Sequence, residues 1–377
     1  MDRTISVEER IVTKRTRIVA LGTATALSLS ALSGAAVLAQ DEEMEPVDIG
    51  FVTHVLGNPF IQQIVEAAEF AAEDLGVNLE VQGPAGGTPE EQIALIQGFQ
   101  NAGVDGIATS VPGSTLAAPI NEIVEAGTPV VQFNLLDTGV MAPYVGERSV
   151  ESGRILGQAV IELLGGADVE GKVIIGNCFP GFPVLENRQQ GVQEALASAP
   201  GIEVNSNNDV TVDPVTNYAA WEALLTANPD AIALIGLCAP DIASLGQLQA
   251  ANPDIDFVAG GYDLTADNLA ALEAGTADVS IGQTPFMQGY LPVRMLYDVI
   301  TGAVDVDLSQ GGFVDAGTEI VTSDSVTEPY GLPALTFSEL QELAADPQAA
   351  RAYYQPLVDG IIAEWADALE PIENESQ

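Results

Sequence analysis

The residues best suited to chemistry in this chain stand singly, each just beyond a short β-branched run. Asn58 lies in Gly57-Asn58-Pro59-Phe60, directly after the first such run. Proline suits the first turn of a helix, where its missing N–H costs nothing, so Asn58 falls at the helix cap. Its amide can donate to and accept from a hydroxyl, or it can serve only as a cap. Ser110, in Thr109-Ser110-Val111-Pro112, ends another run and offers either a hydroxyl contact or a plain loop residue. The single histidine, His54, is a strand-end residue or a ligand contact rather than a catalytic base. Phe60 and Phe179 are the aromatic rings best placed to stack on a ligand, while Phe182 and Phe286 read as core.

Catalytic constellations are scarce. The chain has no Gly-x-Ser-x-Gly elbow, no His-Glu-x-x-His and no Cys-x-x-Cys. The enzyme reading to carry beside a binder is a carboxylate-only glycosidase built on Asp137 and Asp263, because two acids across a cleft can cleave a glycoside. Binding is therefore the expected activity, with no cofactor and no metal. Gly166 to Lys172 imitates a phosphate loop, but Val173 stands where Ser or Thr is needed and the segment precedes a strand. Asp305-Val-Asp307-Leu-Ser309 imitates a calcium loop, but Gln310 occupies the turn that needs Gly and Ala316 the closing Glu position.

The elements that must position these residues come in two series. Strands are expected at 48–55, 78–82, 106–111, 129–134 and 144–146, alternating with helices at 59–75, 89–102 and 115–126. After a helix at 150–164, a second series places strands at 172–177, 204–212, 231–237, 256–261 and 278–282. A helix at 286–300 and a strand at 312–321 return the chain between the two, and 332–369 reads as an added helical tail. Alternation of this kind makes parallel sheets, which bind ligands beyond the carboxyl ends of their strands. The fold class is α/β, with two doubly wound parallel-sheet lobes joined by a multi-strand hinge. One lobe takes 46–147 plus 284–312, the other 148–283 plus 313–330, and the tail 331–377.

In a doubly wound sheet of order 2-1-3-4-5, the strands preceding Cys178 and Cys238 are neighbours, so the two sulfurs would stand together at the cleft. They form either a disulfide or two buried free thiols. The compartment permits a bridge. Residues 1–17 carry Arg3, Arg10, Lys14, Arg15 and Arg17, an apolar stretch follows at 18–38, and Val37-Leu38-Ala39 supplies a cleavage site. This reads as an export signal spanning 1–39, with the protein periplasmic or otherwise extracytoplasmic. Five of the 11 basic and three of the 54 acidic residues lie in that leader, leaving six basic and 51 acidic residues and a net charge of −45. Such a charge excludes nucleic acid and anionic lipid surfaces as partners and suits a salty medium.

From about residue 47 to about residue 326 the chain resembles the periplasmic sugar-binding proteins of bacterial ABC importers, of the ribose-binding type with the type I periplasmic binding protein fold. The landmarks are Asn58-Pro59-Phe60, Arg188-Gln-Gln-Gly191, Asp241-Ile-Ala-Ser-Leu-Gly246, Gly261-Tyr262-Asp263 and Gln283, in order and each at a strand end or helix start. The resemblance implies ligand contact at Asn58, Phe60, Arg188, Asp263 and Gln283. A sugar offers hydroxyls and apolar C–H faces, so Arg188 could donate a fork and Asp263 accept two bonds. A surface ion pair of Arg188 with Glu186 or Glu194 is the bland alternative.

Two departures matter. Sugar binders often have Asp-Arg after the fourth strand, where this chain has Asn134-Leu135 followed by Asp137, and Pro240 precedes Asp241 where Asn is common. The half-sites expected are Asn58, Phe60, Ser110, Asn134 and Asp137 on one lobe and Phe179, Arg188, Asp241 and Asp263 on the other, with Gln283 at the crossing. The resemblance implies a monomeric receptor that closes on a small polyhydroxy ligand and delivers it to an ABC permease. The ligand classes are a sugar, a polyol or a furanosyl signal of the autoinducer-2 kind, and a chemoreceptor-linked sensor is the alternative role. A repressor of this fold would need a basic helix-turn-helix segment where the export signal stands.

Overall fold

The computed structural model describes residues 46–84, 88–323, 326–327 and 329–376. The export leader expected at 1–39 lies outside the described residues. The first lobe runs β1 (Asp48–Val52), α1 (Pro59–Leu75), β2 (Asn78–Gln82), α2 (Pro89–Ala102), β3 (Gly106–Thr109), α3 (Ala117–Glu125), β4 (Val130–Phe133) and β5 (Tyr144–Gly146). The second runs α4 (Ser149–Leu163), β6 (Gly171–Asn177), α5 (Pro183–Leu196), β7 (Ile202–Asp209), α6 (Pro214–Ala227), β8 (Ala231–Gly236), α7 (Asp241–Ala251), β9 (Val258–Tyr262), α8 (Ala266–Glu273) and β10 (Val279–Gly282). Then come α9 (Pro285–Thr301), β11 (Phe313–Asp315), β12 (Glu319–Thr322), β13 (Val326–Thr327), α10 (Phe337–Ala345) and α11 (Pro347–Asp359).

Both sheets are doubly wound. The first has the order β11-β5-β4-β3-β1-β2 and the second β13-β12-β10-β9-β8-β6-β7. All strands pair in parallel except β12, which runs antiparallel to β10 and to β13. β3, β4 and β10 are buried along their whole length, as expected of parallel strands covered by helices on both faces. In each sheet the order reverses at the first strand, β1 or β6, and the crevice opens there beyond the strand ends.

Local chemistry sets the helices that frame the crevice. Asn58 caps α1, its Oδ1 accepting from the N–H of Phe60 at 2.9 Å and of Ile61 at 3.4 Å, with Pro59 in the first turn. α4 and α5 pack with their backbones nearly touching. A Cβ on Gly153 would lie 2.2 Å from the Arg188 carbonyl oxygen, and one on Gly191 would lie 2.0 Å from that of Val150. Those two glycines let α5 press against α4 and so fix where Arg188 stands.

Two expectations are corrected. The single strand expected at 312–321 is two strands on different sheets, because Asp315 accepts from the Gly317 N–H at 2.9 Å and turns the chain. β11 lies in parallel beside β5, so 313–315 belong to the first lobe and the crossing falls at 316–318. The tail, for its part, is no mere addition. Leu340 of α10 is buried in the second lobe's core, whereas Tyr354, Leu357, Ile362 and Trp365 are buried in the first lobe's. Glu370 then bridges antiparallel to Phe313. No helix among the described residues is long and apolar enough to cross a membrane.

Candidate ligand-binding site

One crevice, of about 490 Å³ including its opening to solvent, is lined from both lobes. Asn58, Phe60 and Asn134 reach it from the first lobe, Phe179, Arg188 and Asp263 from the second, and Gln283 from the second crossing. The two lobes also meet beside it, where Leu135 and Leu136 pack with Val184 and, half-buried, Phe182.

Backbone geometry aims several of these side chains. Asn134 and Asp263, each just past a strand end, take positive φ of 60° and 73°. Asn and Asp tolerate that region better than most residues, and an unusual backbone at a strand end is typical of functional positions. Thr284, next to Gln283, has φ 44°, a costly conformation for a β-branched residue at the crossing. A buried polar chain links the three places. Asn134 Nδ2 donates to Gln288 Oε1 at 3.1 Å, Gln288 Nε2 donates to the Gln283 carbonyl at 2.6 Å, and Gln283 Nε2 donates to Asp263 Oδ1. It runs from the first lobe through α9 to the second. The Gln283 Oε1 has no partner among the described residues.

Arg188 is 4% exposed and is held from three sides. Its Nε donates to Glu147 Oε1, its Nη1 donates to the Leu237 carbonyl at 2.8 Å, and its guanidinium lies 4.1 Å from the centre of the Tyr262 ring. Burial works against its charge, and Glu147, Tyr262 and Asp263 outweigh that, keeping the pKa above the ordinary arginine value. The surface pairs with Glu186 or Glu194 do not form, since Glu194 is taken by Arg154 and Glu186 accepts from Gly181 and Asn177. All six basic residues from residue 46 onward are ion-paired, yet among the described residues only the Arg188–Glu147 pair is buried on both sides.

Burial raises the Asp263 pKa to about 6, against the pull of Arg188 and Gln283. Burial also lowers His54 to about 4, so its imidazole is neutral at ordinary pH. His54 lines the crevice and its Nδ1 lies 3.2 Å from Ser110 Oγ. Ser110 thus stands behind the histidine and is not itself a lining residue. Cys178 and Cys238 are bonded, S–S 2.03 Å, and both line the crevice. Phe179 stacks on Phe182, centroids 4.7 Å apart, whereas Phe60 is largely sunk in the first lobe's core.

Asp137 and Asp241 do not join this cluster. Asp137 sits in a turn and accepts from the Gly139 N–H at 2.8 Å. Asp241 is fully buried and spends its oxygens on Asn217 Nδ2 (2.7 Å), Trp221 Nε1 (2.8 Å) and the Cys238 N–H (2.8 Å). It fixes the turn that carries Cys238 into the crevice and has no face toward a ligand. With Asp137 outside, the two-carboxylate glycosidase arrangement is not assembled. Sequence reasoning missed Glu147, whose signal was its place at the first crossing, between β5 and α4. No cluster of metal-ligating residues occurs among the described residues.

Fold and crevice together define a two-lobed binding protein with a crevice where the two lobes meet. The chain belongs to the periplasmic binding protein domain family, whose model matches residues 49–303. It is 26% identical over 283 residues to a ribose import binding protein of Escherichia coli, covering 74% of this chain and 91% of the relative. It is 23% identical over 301 residues to a xylose/arabinose-binding protein of Sulfolobus acidocaldarius, covering 75% and 72%. Among solved structures, a glucose-galactose binding protein from Geobacillus stearothermophilus superposes with TM-score 0.68 at 23% identity, over 74% of this chain and 98% of that one. A solute-binding protein from Burkholderia graminis in complex with D-arabinose does so with TM-score 0.68 at 22% identity, over 74% and 96%. These likenesses establish the fold.

Proposed function

We propose that the protein is an extracytoplasmic receptor that captures a small polyhydroxy ligand, a sugar or polyol, in the interlobe crevice and delivers it to an ABC permease. The observation that carries this reading is one crevice holding an arginine, a carboxylate, three amides and a pair of stacked aromatic rings, drawn from two lobes and a crossing. That set matches the alternation of hydroxyls and C–H faces on a sugar ring. The names of the relatives, binding proteins for ribose and for xylose or arabinose, support the same ligand class. A furanosyl signal is the second class, favoured by Leu135, which lines the crevice where sugar binders of this family often place a charged residue.

Each lobe alone offers half of the contacts, so a ligand binds the closed form better and shifts the population toward it. Thermal-shift screening of the chain from Gln40 onward against sugars, polyols and furanosyl compounds tests the ligand class, because a ligand of the folded state raises the melting temperature. The expected result is a shift with at least one polyhydroxy compound and a more compact particle in solution scattering when it is present. Binding accompanied by chemical turnover of the ligand would replace the receptor with an enzyme.

A further inference from the structure

We propose that Glu147 is the residue that makes this crevice reject anionic ligands and accept uncharged ones. The inference deepens, and rests on, the reading of the crevice as a polyhydroxy-ligand site. An exposed arginine in a binding cleft is ordinarily an invitation to carboxylates, which it grips at two points through the Nε/Nη2 edge. Here half of that edge is already spent. Glu147, 1% exposed, accepts from Nε, and the Leu237 carbonyl takes a donor from Nη1. Two of the five guanidinium N–H donors are thereby taken, and although Nη2 has no protein partner among the described residues, it cannot join Nε in the side-on fork that usually grips a carboxylate. Tyr262 backs the guanidinium at 4.1 Å, and its hydroxyl is fixed to Ser152 Oγ at 3.0 Å, so Arg188 cannot swing free of Glu147 without leaving that face.

Charge points the same way. Arg188 and Glu147 cancel, and Asp263 on the same wall adds a negative charge, while the second Glu147 oxygen is buried with no partner among the described residues. A carboxylate brought to Nη2 would face two acids for one base in a desolvated place. A hydroxyl carries no such penalty and can still accept from Nη2 and donate to Asp263. Rejection is thus built by spending the cation's attraction before the ligand arrives, which is one of the two ways a site discriminates. Glu147 also stands on the crossing from the first lobe, so the element that hinges the lobes holds the arginine in place.

Isothermal titration at pH 7.5 would compare D-glucose with D-glucuronate, D-galactose with D-galacturonate and D-ribose with D-ribonate. The titrations would use the chain from Gln40 onward as wild type, Glu147→Gln and Glu147→Asp, with circular dichroism melts to confirm folding. The wild type is expected to bind the neutral member of at least one pair about 100-fold or more tightly than the acid. Glu147→Gln is expected to narrow that ratio about 10-fold, with the acid gaining affinity in absolute terms. Glu147→Asp, which keeps the charge on a shorter arm, is expected to weaken neutral binding and still refuse the acid. A merely structural role would lower both members together, so an unchanged ratio in Glu147→Gln, or acid binding gained in Glu147→Asp, would overturn the inference. A wild type that binds no neutral compound in the set or in the thermal-shift panel would instead overturn the proposed function beneath it.

Discussion

The two halves of the crevice are built from different chemistry. The first lobe contributes the amides of Asn58 and Asn134 and a neutral imidazole, His54, whereas the second contributes both charges, Arg188 and Asp263, together with the Cys178–Cys238 bridge. Their anchoring differs as well. Arg188 is bound by a carboxylate, a carbonyl and an aromatic ring, and the loops beside it are tied by a covalent bond. Asn58 is held only by capping its own helix, and Asn134 by one amide of α9. In the receptor proposed above, the second lobe would be the preorganised half and the first a lighter cover that completes the hydrogen bonds on closure. Ordering entropy saved on one lobe is available as affinity, which is why an asymmetric division of labour favours tight capture.

The largest effect that would test this asymmetry lies at Arg188. Arg188→Ala removes the fixed donor and leaves Glu147 buried without its counter-ion. Breaking such a pair costs roughly 3–5 kcal/mol of stability, so a much lower melting temperature and an affinity loss of about 1,000-fold are expected together. Near-normal titration heats in a folded Arg188→Ala protein would break the comparison outright. Next in size is the bridge. It closes a loop spanning 60 positions, worth about 4 kcal/mol in the chain-entropy view, and it sits in the second lobe alone. Cys178→Ser/Cys238→Ser, or reductant, is expected to lower the melting temperature and to weaken binding several-fold, with ligand restoring part of the loss. Melts that do not respond to reductant would show that the second lobe is not the covalently stiffened half.

Much of this was legible from residue order, for identifiable reasons. Parallel strands flanked by helices announce themselves by period, and Pro59 after Asn58 marks a helix start as firmly as any three-dimensional contact. The pairing of Cys178 with Cys238 follows once the sheet order is known, because β6 and β8 are neighbours in it. Asp241 holds a landmark position, which does not reveal which way a carboxylate faces, and here Asn217, Trp221 and a turn N–H claim it. Asp137 shows the same limit: a carboxylate two residues before a glycine closes its own turn locally. Glu147 shows the complementary limit: its place at the crossing is readable, but its partner lies 41 positions on and only the contact of α4 with α5 brings them together. The split of 312–321 hinges on the local Asp315–Gly317 turn, inside a run that otherwise reads as one strand.

Asp263 sharpens the comparison through pH. Its folded pKa is raised to about 6 by burial, above the ordinary carboxylate value near 3.8. The folded chain therefore holds this proton more tightly than the unfolded one, so the group's contribution to stability is fully present below about pH 3.8 and is lost as pH rises through about 6. Asp263→Asn, which mimics the protonated form, is expected to raise the melting temperature of the ligand-free protein above pH 6, by up to about 3 kcal/mol of stability. The same change takes an acceptor from the ligand and is expected to weaken binding about 100-fold at pH 7.5. A stability gain paired with a binding loss is what a site held in a costly ionised state for its ligand would give. If melts of wild type and Asp263→Asn run parallel from pH 5 to pH 8, the carboxylate is not under that tension.

Asn58→Ala probes the lighter half and should give the smallest change. Its Oδ1 already serves two helix N–H groups, so removing it costs about 1 kcal/mol in capping whether or not a ligand is near. Only its Nδ2 is left to offer a hydroxyl, and one neutral hydrogen bond contributes about 1 kcal/mol net. The expected result is a melting temperature a few degrees lower and an affinity about 5-fold weaker, two orders of magnitude short of the Arg188→Ala loss. Asn58→Asp separates the two roles, since a carboxylate caps a helix as well as an amide does but cannot donate. It should therefore keep the melting temperature and still bind weakly. If Asn58→Ala instead matched Arg188→Ala in lost affinity, the first lobe would be an equal partner in recognition, and the division into a fixed half and a closing half would fail.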